Sequence, residues 1–108
     1  MVREFKCYYD KCYIGRFYFH SDGNKEFIPD NKDNYTVGAS NFVKYIPLST
    51  TDDINVFISE RVIPPERPDR SVWLSMLEGY NQSDSDEEIF IKNKGYGLND
   101  LFWMEEVK

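Results

Sequence analysis

Two arginines set around a pair of prolines, in Arg61-Val-Ile-Pro-Pro-Glu-Arg67, are the side chains of this sequence best suited to gripping something. A guanidinium presents planar donors that match a carboxylate or a phosphate, and Pro64-Pro65 fixes backbone φ and forbids helix, so both side chains project from a stiff connector. Two uses fit that arrangement. Arg61 and Arg67 pair inside the chain, with Asp100, Asp69 or carbonyls at helix ends, and so hold a helix to the C-terminal turn. Alternatively they grip a carboxylate or phosphate on another molecule.

A second charged cluster, Asp84, Asp86, Glu87 and Glu88, follows the pattern of a helix start, where the positive end of the macrodipole favours carboxylates. Its alternative use is docking on a basic protein surface or imitating nucleic acid. Calcium is not expected, because the alternating ligand spacing and central glycine of an EF-hand loop are missing. Cys7 and Cys12 form a lone C-x4-C pair with a single histidine, His20, eight residues further on, which is too few ligands for zinc. The pair reads as two reduced thiols at a hairpin, with a hairpin disulfide as the alternative. His20 reads as an exposed or hydrogen-bonded side chain. In Gly97-Leu-Asn-Asp-Leu-Phe-Trp103, Asn99 and Asp100 can bond local backbone amides, and Trp103 is expected in the core. No phosphate loop, nucleophile elbow, zinc-protease helix or Cys–His pair is present, so neither an enzyme nor a cofactor is expected.

These groups must be positioned by one small domain, residues 1–108. The composition is 41% hydrophobic and 17% aromatic, with eight Tyr and eight Phe, enough apolar area to fold. With 19 acidic and 13 basic residues the formal charge is −6, which disfavours direct binding to a phosphate backbone. No basic segment leads into an apolar run and nothing approaches the roughly 20 residues of a membrane span, so a cytosolic protein is expected.

Val2 to Tyr9 and Cys12 to His20 read as a β-hairpin reversing at Asp10-Lys11. On its second strand Tyr13, Gly15, Phe17 and Phe19 alternate with Ile14, Arg16, Tyr18 and His20. Both faces are thus partly apolar, and one of them awaits another segment or another molecule; Tyr18 and Phe19 are candidates for that contact. Phe27-Ile28 starts a third strand ended by Pro29, Asp30 to Asn34 is a polar loop, and 35–37 and 42–48 read as extended. Thr50 or Thr51 caps a helix whose Ile54, Phe57, Ile58 and Val62 share a face, and Pro64-Pro65 stops it. A second helix is predicted from Pro68 or Asp69, with Gly79 near its C-cap. Ser85-Asp-Glu-Glu88 is a capping box for a third over residues 87–92, a stretch that also reads as a strand. Leu101 to Met104 is an apolar tail able to return to the sheet. The fold class expected is α+β: an N-terminal antiparallel sheet of three to five strands, two or three short helices and a C-terminal apolar segment.

Arg61, Ile63, Pro64 and Arg67, with Tyr45-Ile-Pro-Leu-Ser49, Phe57 and Leu77 around them and Tyr96, Gly97, Leu98, Asp100 and Trp103 downstream, resemble a paired signature of HipA-like proteins from Gram-positive bacteria. The match covers about half the chain and lies in the N-terminal region of that family. Tyr8 to Phe17 with Phe27 is similar, less specifically, to the strand–turn–strand at the start of HipA proteins. The family's ATP site, catalytic aspartate and metal-binding aspartate follow this region and are absent here. The resemblance implies a free-standing counterpart of the N-terminal subdomain, Pro64, Gly97, Asp100 and Trp103 being structural. Such a protein binds a kinase toxin and restrains it, as an antitoxin does. The partner is then another protein. The alternative from the residues themselves is a phage or mobile-element inhibitor that sets its acidic face in the nucleic-acid groove of a defence enzyme.

Overall fold

β-branched and aromatic residues on either side of Asp10-Lys11 form the expected hairpin, β1 (Val2–Tyr9) antiparallel to β2 (Cys12–His20), with Asp10 at a φ of 55° making the tight reversal. The computed structural model describes residues 2–62, 85–97 and 100–108. Beyond the hairpin run β3 (Lys25–Pro29), a 3₁₀ turn (Lys32–Asn34), α1 (Val37–Tyr45), α2 (Thr51–Arg61), α3 (Asp86–Lys92) and β4 (Phe102–Glu106). The four strands form one antiparallel sheet in the order β3-β2-β1-β4, and the fold is α+β.

A bulge decides which side chains share a face. Cys7 lies opposite Gly15 and Tyr8 opposite Tyr13, so Ile14 is the extra residue of β2. The simple alternation expected for this strand is corrected accordingly. Ile14 joins Phe17 and Phe19 in the core, and Tyr13 joins Arg16, Tyr18 and His20 on the other side. The bulged carbonyl of Ile14 accepts from the Asp30 amide (2.9 Å) and the Tyr35 hydroxyl (2.6 Å), so the irregularity leaves it well satisfied. Gly15 sits at a φ of 150°, where a Cβ would stand 2.4 Å from the Ile28 carbonyl oxygen; no other residue fits.

α2 forms as its pattern predicts. The Thr50 hydroxyl accepts from the Asp53 amide (3.0 Å), and Ile54, Phe57, Ile58 and Val62 are all buried. α1 replaces the extended pieces expected over 35–37 and 42–48. The Thr36 hydroxyl caps it at the Ala39 amide (3.2 Å), and Ala39 and Phe42, three apart, turn into the core. α3 settles residues 87–92 as helix, capped by Ser85 at the Glu88 amide (3.2 Å). Pro64-Pro65 and the helix expected from Pro68 or Asp69 lie outside the described residues.

Among the described residues three helices cover one face of the sheet. Phe57 of α2 meets the rings of Phe17, Phe42, Phe90 and Phe102, and Phe42 of α1 stacks on Phe102 at 5.5 Å. Phe5, Cys7 and Met104 complete this layer from β1 and β4. Among the described residues no helix is long and apolar enough to cross a membrane.

Candidate protein-binding face

The end of α2 carries Arg61 into the protein, with its side chain only 7% exposed. Nη1 and Nη2 donate to the two carboxylate oxygens of Asp100 at 2.7 Å each, and Nε donates to the Gly95 carbonyl at 2.9 Å. The guanidinium lies over the rings of Phe57 (4.8 Å) and Phe102 (5.0 Å). Bidentate geometry, charge and ring faces thus act on one group. Burial alone would push the Asp100 carboxyl up; the Arg61 hydrogen bonds and charge, with the Phe102 amide, outweigh it and hold the group below the usual carboxylate range. Gly97 packs so closely that a Cβ there would stand 2.6 Å from Arg61 Nη2. Arg61 therefore binds its own chain, which corrects its candidacy as a residue that grips a partner. Arg67 and Pro64 lie outside the described residues.

Two further expectations change with the faces of the sheet. Phe19 is a core residue, 5% exposed and tilted against Phe5 and Phe17, because the bulge sets it inward; it is not available to a partner. Trp103 is not in the core. β4 alternates, Phe102 and Met104 turn in, and Trp103 stacks flat on Tyr8 on the opposite face at 4.2 Å. Asp100 does bond a local amide, accepting from Phe102 at 3.1 Å.

The face away from the helices is built in rows across the strands. Trp103, Tyr8 and Tyr13 are cross-strand neighbours and form an aromatic row; Glu105, Lys6, Arg16 and Ile28 form the next, and Glu4, Tyr18 and Glu26 the third. Tyr13 meets Tyr8 edge-on at 5.7 Å. Arg16 donates to the Tyr13 hydroxyl (3.0 Å) and pairs with Glu4. His20 lies 3.1 Å from Glu26. Lys6 is half-buried between Arg16 and Glu105 and has no hydrogen-bond or ion-pair partner among the described residues. Of the residues singled out from sequence, Tyr18, His20 and Trp103 stand here; the grouping of Tyr8, Tyr13, Arg16 and Lys6 with them is set by strand register.

The acidic cluster serves the start of α3. Asp86, Glu87 and Glu88 occupy its first turn, and Glu87 pairs with the buried Lys25 at 2.9 Å; Asp84 is outside the described residues. Cys7 is buried, which pushes its thiol up, and Cys12 is half-buried; both are free. Among the described residues no group of three or more His, Cys, Asp or Glu could hold a metal ion. Comparison with known proteins finds no matching family model, no matching curated protein and no matching solved structure.

Proposed function

We propose that this chain is a small protein-binding regulatory module that acts by occupancy and not by catalysis, and that its partner is a HipA-like kinase which it restrains in trans. The observation that carries the reading is the Arg61–Asp100 pair. The resemblance rests on two stretches separated in sequence, Arg61 onward and Gly97 to Trp103, and this pair binds them into one scaffold with Gly97 closed against the guanidinium. The internal contacts of Arg61, Gly97 and Asp100 support a scaffold role for these residues. The binding surface in this reading is the sheet face opposite the described helices, where Trp103, Tyr8, Tyr13 and Arg16 present residue types that dominate protein interfaces.

Co-expression with the HipA-like kinase of the same genome tests the proposal. The two proteins should co-purify, and this chain should lift the growth arrest and lower the autophosphorylation caused by the kinase alone. A kinase that stays free and fully active in its presence would overturn the reading.

A further inference from the structure

An extended chain can join a sheet where an edge strand keeps outward amides and carbonyls without partners. β4 is such an edge, and the chain itself fills only part of it. The Asp10 amide bonds the Leu101 carbonyl and the Val107 amide the Glu4 carbonyl, at 2.9 Å each, so the groups of Phe102, Met104 and Glu106 between them point away from β1. The Phe102 amide is met by the Asp100 carboxylate (3.1 Å) and the Met104 amide by the Lys94 carbonyl (2.8 Å). There the pairing stops. The amide and carbonyl of Glu106 have no partner among the described residues.

Beside this open stretch a groove of about 280 Å³ runs between the end of α3 and β4. Its apolar lining is Phe5, Ile91 and Met104, and its charged lining is Lys92, Lys94 and Lys108 with Glu105 and Glu106. The two carboxylates leave a positive surplus. Glu106 is already held by Arg3 through two hydrogen bonds (2.7 and 2.8 Å), and Glu105 alternates to the outer face, where the Tyr8 hydroxyl reaches it (3.4 Å). The Lys94 ammonium has no partner among the described residues. In a chain of formal charge −6 this is a local basic site. Its volume falls below the roughly 300–1,000 Å³ of small-molecule pockets and suits a single aliphatic side chain.

Strand alternation dictates the occupant. A residue that exchanges both backbone hydrogen bonds with Glu106 sets its side chain on the same side as Phe5 and Met104, in the groove. The residues two before and two after it point to that side as well, one toward Lys92 and Lys94 and the other toward Lys108. We infer that the Glu106 stretch of β4 binds an extended segment of another protein by strand addition, with an aliphatic residue in the groove and an Asp or Glu two positions to either side. Backbone groups left open specify a peptide, and the lysines specify its charge. The site lies across the sheet from the Trp103–Tyr8–Tyr13 row, and the inference goes beyond the kinase reading without depending on it.

The isotope-labelled full chain is titrated with the capped peptide acetyl-Glu-Thr-Leu-Thr-Glu-amide and followed by amide NMR. The Glu106 amide should move downfield and saturate, with a dissociation constant of about 1 mM or lower. Methylating the leucine nitrogen of the peptide removes the donor to the Glu106 carbonyl and should weaken binding about fivefold or more. Replacing both peptide glutamates by lysine should weaken it about threefold or more, and Lys94→Glu should reverse that order of preference, a swap that loss of folding cannot produce. A Glu106 signal that does not move, or equal binding of the methylated or the lysine peptide, overturns the inference. So does tighter binding of decanoate at the groove, which would mark a site for an anionic amphiphile. Movement of the Glu106 signal on raising protein concentration alone would mark pairing with a second copy and overturns it too.

Discussion

The two faces of the same four strands differ in the aromatic residues at their centres. Among the described residues the buried rings are phenylalanines, Phe5, Phe17, Phe19 and Phe102 from the strands and Phe42, Phe57 and Phe90 from the helices, with the partly buried Tyr9 at the margin of the layer against Phe42. On the opposite face the rings are Tyr8, Tyr13, Tyr18 and Trp103, each carrying a polar atom. A hydroxyl within the phenylalanine layer would find no partner, whereas outside it the polar tips reach Arg16, Glu105 and the Asp10 carbonyl. The difference separates a face whose rings hold the fold together from one whose rings keep their polar tips at the surface.

The comparison can be broken most forcefully at Phe57, whose ring touches four others and lies under the Arg61 guanidinium. Phe57→Ala should lower unfolding free energy by about 3–5 kcal/mol in urea melts, while Tyr18→Ala on the other face should cost within about 1 kcal/mol. Similar losses for the two would erase the distinction between the faces.

Next in size is Asp100→Ala, which leaves the buried Arg61 without its counter-ion and should cost about 3 kcal/mol. Its pH dependence has a definite sign. The folded carboxyl titrates below its ordinary value, so its contribution is complete above roughly pH 4 and is lost as pH falls through the lower folded value. Glu106, held below its usual range by Arg3, acts in the same direction. Asp100→Asn should therefore show a shallower loss of stability below pH 4 than wild type, with the remaining slope due to Glu106 and other carboxylates. Equal slopes in acid melts would remove Asp100 from this role.

Local chemistry made part of this structure readable from residues alone. Thr50 with Ile54, Phe57, Ile58 and Val62 announces α2, because cap and helical period agree. α1 is concealed in the sequence because Val37, Phe42, Val43 and Tyr45 favour strands by type, and only the Thr36 cap with the 39–42 spacing favours a helix. The faces of the sheet were harder still. Alternation says which residues share a side but not which side faces in, and one extra residue at Ile14 exchanges Tyr13 with it. Trp103 is subject to the same ambiguity: its hydrophobicity favours the core, but Phe102 and Met104 hold the inward positions of β4. Arg61 shows the limit on site residues. Its stiff setting allows an internal or an external carboxylate, and only the approach of Asp100 decides between them.

A pair of single-atom exchanges sharpens the comparison at its smallest scale. Phe17→Tyr would place a hydroxyl among Phe19, Phe27, Phe57 and Phe102, where it gains no partner and must also be fitted into a filled layer; a cost of about 2–3 kcal/mol is expected. Tyr13→Phe removes an acceptor from Arg16, which keeps Glu4, so the cost should stay below about 1 kcal/mol. The order matters more than either value. Were Tyr13→Phe the more damaging of the two in parallel urea melts, the hydroxyls of the outer face would be holding the fold together, and the distinction between the two faces would fail.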